Sequence, residues 1–241
     1  MRAEPAAVGR GTLLAAALAR AEAWLLEPAP ERAVTRPVEL PPRPVVAVVG
    51  LGPRCGATTL ARALGARLAG RDPGRAAIVA GAGEAPGFAP AGRAAAKLAA
   101  RFRSGGVPAR PAGRLCLLAA WDYAALSSSA RGLAPLVLDV RRNGSAGVAA
   151  SVADLTLIVA PASGEPALAE LATRALGRAG REPLTVVARG ADRSRWEGRA
   201  SIRLPDSRTG ARLASAGWEP RGALGAAVAS IGALCEEAAC A

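Results

Sequence analysis

The chain contains no histidine, one tyrosine, one methionine and two phenylalanines among its 241 residues. Each shortage excludes something. Without histidine there is no Ser-His-Asp or Cys-His nucleophile, no imidazole base and no Cys/His zinc site. Ser127-Ser128-Ser129 therefore has no base partner, no G-x-S-x-G elbow is present, and these serines predict a helix surface or its end. The four cysteines, Cys55, Cys116, Cys235 and Cys240, show no C-x-x-C spacing, which removes a thiolate metal knuckle too. Aromatics make up 3% of the chain, so the core must be built from Leu, Val, Ile and Ala, and such side chains suit helices packed closely on a sheet. No unbroken run of 18 apolar residues exists, and no spanning helix is expected on that criterion.

Lysine is also nearly absent. Of 31 basic residues only Lys97 is a lysine, and the formal net charge is +12. The arginines are scattered (Arg101 and Arg103, Arg141 and Arg142, Arg193, Arg195 and Arg199) and are not interleaved with aromatics. That pattern reads as solvated surface and predicts no specific nucleic-acid partner, only weak attraction to polyanions. Cys116 lies in an apolar strand pattern and is expected in the core. Cys235 and Cys240 are near enough in sequence to meet, but reduced thiols in a cytoplasmic protein are the expected state.

What is present is an alternation of short apolar runs and helical patterns. The length suffices for one α/β domain and an appendage. Arg2 and Arg10 precede an Ala-rich run from Thr12 to Ala19, which mimics a signal peptide. Glu4, Arg20 and Glu22 interrupt that pattern and predict an amphipathic helix over 11–27 instead. Pro28 to Pro44 reads as a semi-rigid proline-rich linker, and the main domain spans 45–241. Strands are expected near 45–49, 76–80, 114–119, 135–140, 155–160, 184–188 and 200–204. Helices are expected near 57–70, 91–103, 121–131, 146–152, 165–179, 209–216 and 222–238, with loops over 81–92 and 104–113. Runs that are apolar rather than alternating predict parallel strands covered on both faces, hence a doubly wound, mostly parallel sheet. The last helix is expected to pack Leu224, Ala227, Val228, Ile231, Leu234 and Cys235 against that sheet. Its polar face, with Glu236 and Glu237, does not suit an anionic lipid surface.

The most informative stretch runs from Val45 to Thr59: a buried strand, Gly50-Leu51-Gly52-Pro53-Arg54-Cys55-Gly56, then a helix opening near Ala57-Thr58-Thr59. A glycine-rich turn at a helix N-terminus gathers backbone N–H groups around an anion, and Thr58 stands where a hydroxyl ligates Mg²⁺. The lysine that ordinarily reaches the β- and γ-phosphates is Ala57. Arg54 lies inside the loop, but a planar guanidinium from a different root is a poor replacement. Asp139 closes the apolar run Leu136-Val137-Leu138, which is where a P-loop protein keeps its metal-side carboxylate; it also suits a simple turn cap. Two other readings of the turn stand beside this one. Gly50, Gly52 and Gly56 form a G-x-G-x-x-x-G pattern suited to a dinucleotide, although Glu84 lies too far along to hold a ribose, and neither histidine nor a lysine suitably spaced from Tyr123 serves an oxidoreductase. The turn also reads as one that binds nothing.

With these residues in view, the chain resembles the ParA/MinD class of deviant Walker ATPases, including relatives that serve pilus assembly and secretion. The family loop K-G-G-x-G-K-T-T falls on Gly52, Pro53, Arg54, Cys55, Gly56, Ala57, Thr58 and Thr59; Gly56, Thr58 and Thr59 match, and both lysines are replaced, by Gly52 and Ala57. The run Ala153 to Val159, Leu204-Pro205-Asp206 and the order of elements over 44–238 are also similar. The resemblance implies ATP or ADP with Mg²⁺ at the loop, Thr58 and Asp139 at the metal, a homodimer, a protein partner, and membrane association that is only indirect. The family's acid after the second strand has no counterpart in Ala80-Gly81-Ala82-Gly83, and its base-contacting Asn falls on Arg189. The expected function is accordingly a degenerate P-loop protein, its nucleotide binding weak or lost, that works as a scaffold or regulatory partner; the alternatives are an active Mg-ATP-dependent switch and an NAD(P)-binding oxidoreductase.

Overall fold

The structure is a computed structural model, and it describes residues 43–81, 90–119, 122–140, 145–188 and 195–241. The chain divides into two units, Met1–Pro41 and Pro42–Ala241. The first unit, with the expected 11–27 helix and nearly all of the proline-rich linker, lies outside the described residues.

The second unit is built on one eight-stranded sheet. Its strands are β1 (Val45–Gly50), β2 (Ala77–Ala80), β3 (Ala109–Ala112), β4 (Leu115–Leu118), β5 (Leu136–Val140), β6 (Leu155–Pro161), β7 (Leu184–Ala188) and β8 (Ile202–Leu204), in the spatial order β3-β4-β2-β5-β1-β6-β7-β8. Every neighbouring pair is parallel except β3 with β4. Seven helices are present among the described residues: α1 (Ala57–Arg71), α2 (Arg93–Ser104), α3 (Tyr123–Ala130), α4 (Ala146–Val152), α5 (Pro166–Gly177), α6 (Arg208–Ser215) and α7 (Gly222–Cys240).

The apolar runs behave as their composition requires. Val45 through Val49 are all buried, and the two faces of the strand serve different helices because side chains alternate. Val46 and Val48 join a core with α1, Ala214 of α6, and Leu224, Val228, Ile231 and Cys235 of α7. Val45, Ala47 and Val49 join a second core with Ala99 and Phe102 of α2, Tyr123 and Leu126 of α3, Ala149 and Ala150 of α4 and Leu176 of α5. Trp196 fills a small third cluster, and its indole N–H donates to Ala162 O at 3.0 Å.

Two acids, Asp72 buried and Asp154 half-buried, fasten the amino-terminal edge of the sheet. Asp154 accepts from Val45 N at 2.8 Å and from Arg131 Nη1 at 3.2 Å. Asp72, at the end of α1, pairs with Arg43 Nε at 2.8 Å and accepts from Gly74 N at 2.7 Å. Farther along, Gly217 at φ 77 and Gly113 at φ 53 cross with no room for a Cβ on either: one built at Gly217 would strike the Ala112 carbonyl.

The doubly wound architecture stands as expected, with three differences in detail. The 104–113 loop contains β3, an edge strand paired antiparallel to β4; Ala109-Arg110-Pro111-Ala112 has neither alternation nor β-branched residues, and Pro111 is tolerated because an edge strand leaves one side unpaired. Leu234 is 36% exposed rather than packed, and the buried stripe of α7 instead includes Gly225 and Gly232. Finally, α7 is long and apolar enough to cross a membrane by length and composition even though no single apolar run reaches 18 residues; its buried stripe lies against α1, β8, β1 and β6. Ser127 is buried, whereas Ser128 and Ser129 are exposed and donate back to the carbonyls of Ala124 and Ala125.

Candidate phosphate-binding turn

β1 lies between β5 and β6 at the centre of the sheet, and the strands after it depart in both directions. The crevice at the carboxyl ends of such strands is where open α/β sheets hold ligands. The turn after β1 occupies that place. Leu51 N still donates to Val159 O at 2.9 Å, so the chain leaves the ladder only at Gly52.

The turn is shaped by two left-handed residues. Arg54 has φ 56 and Gly56 has φ 92. Holding arginine there costs about 1 kcal/mol, whereas glycine at 56 avoids the penalty. The loop then folds back on the strand: a Cβ on Gly50 would meet Cys55 Sγ at 3.0 Å and Ala57 Cβ at 3.1 Å. Cys55 is buried in the α1 core, while Pro53 and Arg54 are exposed. Gly56 O accepts from Leu60 N at 2.9 Å and starts the helix. No side chain caps α1, and its first turn carries no acid. The first amides of the helix and its positive dipole end are thus left for an anion.

The charges around the turn differ from those of an ordinary P-loop. Ala57 is 9% exposed and presents only a methyl group. Arg54 is exposed. Gly81, at the end of β2, has φ 85, and a Cβ there would strike the Asp139 carbonyl. An acid at position 81 is therefore excluded by the backbone itself. Asp139, one residue before the end of β5, is 1% exposed and paired in register with Val48 of β1. It stands two residues from Val137, which belongs to the α1 core, and shares its face, so its carboxylate is on the α1 side of the sheet. Thr58 and Thr59 are half-buried in the first turn of α1.

A residue that the sequence reading passed over lies on the same helix. Arg62, four positions after Thr58, is 5% exposed, and its Nη1 donates to Ser215 O at 3.2 Å. Burial pushes its pKa down from the ordinary guanidinium value, and the nearby Asp139 carboxylate acts in the opposite direction. The available signal was a lone charge inside Leu60-Ala61-Arg62-Ala63-Leu64, where every neighbour is apolar.

Beside the turn, Leu204, Pro205, Asp206 and Ser207 close against Gly56, Thr59 and Leu224 around a mostly apolar cleft of about 50 Å³. This is far below the several hundred Å³ of usual ligand pockets, so the cleft admits a purine only if its walls move. Glu84 and Arg189, considered above for a ribose and a base, lie outside the described residues.

No family model and no curated protein matches the sequence. Solved structures do match the fold. A ParA family ATPase from Chlorobium tepidum TLS aligns over 79% of this chain and 99% of its own, with a TM-score of 0.54 and 12% identity. MinD in the MinC:MinD cell division complex of Aquifex aeolicus aligns over 81% and 94%, with a TM-score of 0.49 and 17% identity. Apo McdA from Cyanthece aligns over 82% and 96%, with a TM-score of 0.49 and 14% identity. The strand order, the turn after β1 and the first of these alignments agree, and the chain has the ParA/MinD-like P-loop fold.

Proposed function

We propose that this protein is a degenerate member of the ParA/MinD-like group that keeps the phosphate cradle as backbone, has given up its catalytic charge, and serves as a scaffold or regulatory partner. The observation that carries this reading is Ala57. It opens α1 below a turn with left-handed Arg54 and Gly56, so the amides converge while the lysine is replaced by a methyl group. Loss of a charge that stabilises a transferring phosphoryl group lowers rates by orders of magnitude, a few kcal/mol. The left-handed glycine at 81 supports the same reading, because a side chain at that position would strike the Asp139 carbonyl. The small cleft at Leu204–Ser207 further weakens any hold on a base.

In this reading Gly52, Pro53, Arg54, Cys55, Gly56, Ala57, Thr58 and Thr59 are the phosphate-facing segment. A bound phosphate is held by the amides of the α1 first turn and the Thr58 and Thr59 hydroxyls. A protein partner is supported by large apolar side chains left exposed on two helices that pack together: Leu168 and Leu171 of α5 are 48% and 59% exposed, and Val148 of α4 is 47% exposed. Buried, unpaired thiols at Cys55, Cys116 and Cys235 suit a reducing, cytoplasmic setting.

Isothermal titration with ATP and ADP tests the reading. The expected result is binding that is weak and similar for the two nucleotides, because the γ-phosphate has no ammonium to meet. Tight binding with strong preference for ATP would refute it.

A further inference from the structure

Two buried charges remain to be explained, and both lie beneath the turn. Arg62 and Thr58 are four residues apart on α1 and share one flank of the helix. Helical side chains lean toward the N-terminus, so the arginine stem covers the turn that carries Thr58. α1 packs against β5, and the Asp139 carboxylate is on the face that α1 covers. Arg62 and Asp139 are 5% and 1% exposed. A lone charge of either sign is very unfavourable at such depth unless an opposite one compensates it. The field of Asp139 favours the charged guanidinium against its desolvation, consistent with such compensation. The Ser215 carbonyl holds the outer guanidinium nitrogen in place.

We propose that Arg62 is the built-in counter-ion of Asp139 and takes the electrostatic place of a divalent cation, so that any phosphate accepted by the α1 turn is accepted without metal. A Mg²⁺ ion between Thr58 and Asp139 would be added next to a guanidinium already balancing the carboxylate, and like charges at short range disfavour it. The residues present therefore do not fit the ion that this fold ordinarily uses. Only the phosphate clause rests on the proposed function; the ion pair stands without it.

The test uses the full chain in two arms. Thermal unfolding of Arg62→Met, Asp139→Asn and the double variant measures coupling. Each single change leaves one buried charge uncompensated and is expected to lower the midpoint by on the order of 10 °C, with the double variant well above the sum of the two losses. Additive losses overturn the pairing. Mn²⁺ binding followed by electron paramagnetic resonance, with ADP affinity measured with and without Mg²⁺ on the unmodified protein, gives the second arm: the unmodified protein is expected to bind no Mn²⁺ at Asp139, with or without ADP. Mn²⁺ binding that Asp139→Asn abolishes, or ADP affinity that rises tenfold with Mg²⁺, overturns the proposal. ATP turnover would refute the proposed function and leave the coupling result intact, so the two failures are distinguishable.

Discussion

Replacing Ala57 with lysine isolates the charge missing from the turn. The position is the first residue of α1, and its methyl group lies beside the folded-back loop at Gly50 and Cys55. A lysine rooted there extends along the inside of the loop toward whatever the helix amides hold. One or two charge-assisted hydrogen bonds to phosphate contribute about 1.5–3 kcal/mol each, against about 1.5–2 kcal/mol lost in ordering the side chain. The net gain of roughly 1–3 kcal/mol corresponds to a 5- to 150-fold rise in affinity. Competition with a fluorescent ADP analogue measures this directly, and a thermal melt in parallel establishes that the variant folds. ATP should gain more than ADP, because the ammonium reaches the terminal phosphates. A folded Ala57→Lys protein with unchanged affinity would refute the reasoning, since it would mean that the amide turn does not present phosphate to position 57.

Three further outcomes are expected. Gly217→Ala puts a Cβ into the Ala112 carbonyl from a left-handed backbone, so it should destabilise the fold by more than about 3 kcal/mol in denaturant unfolding; a loss below 1 kcal/mol would show that this crossing relaxes easily. Asp154→Ala strips the Val45 amide of its side-chain acceptor and leaves Arg131 only the Val152 carbonyl; it should cost about 1–3 kcal/mol, read by the same unfolding curves. Burial pushes the Cys116 and Cys235 thiols up from about 9 to about 12, with the acidic neighbours Glu236 and Asp154 adding to the effect at Cys235. Since the folded values lie above the unfolded ones, this contribution is fully present below pH 9 and is lost progressively as the pH rises toward 12. Unfolding midpoints should hold between pH 8 and 9 and fall from pH 9 to 11, and alkylation of the native protein at pH 8.5 should mark Cys240 well ahead of Cys116 and Cys235.

Most of the fold could be read in the sequence because the parallel strands have no other way to be written. A strand buried on both faces must be a largely apolar run, as in Val45–Val49, Leu136–Leu138 and Leu157–Ala160. β3 escaped because it is an edge strand whose residues answer to only one neighbour; Arg110 and Pro111 satisfy that role without leaving a periodic trace. Helical periodicity assigns Leu234 to a face without knowing which neighbour covers it; the buried stripe takes in Gly225 and Gly232 instead, and Gly232 faces Leu64 and Arg67 of α1. At the site, the backbone was legible through Gly50, Gly52 and Gly56, and the missing lysine through Ala57. Arg62 was not. In a chain with thirty arginines one more carries little weight, and only the packing of α1 on β5 shows that this one is buried near an acid. The glycine at 81 likewise reads as an absent acid in sequence and as a backbone requirement in the structure.

The most direct test of a cradle that has kept its amides and lost its catalytic charge is steady-state phosphate release from ATP by the purified full chain, run beside Thr58→Ala. Release indistinguishable from the protein-free blank in both proteins is the expected result. Turnover well above that blank, abolished by the Thr58 substitution, would contradict it.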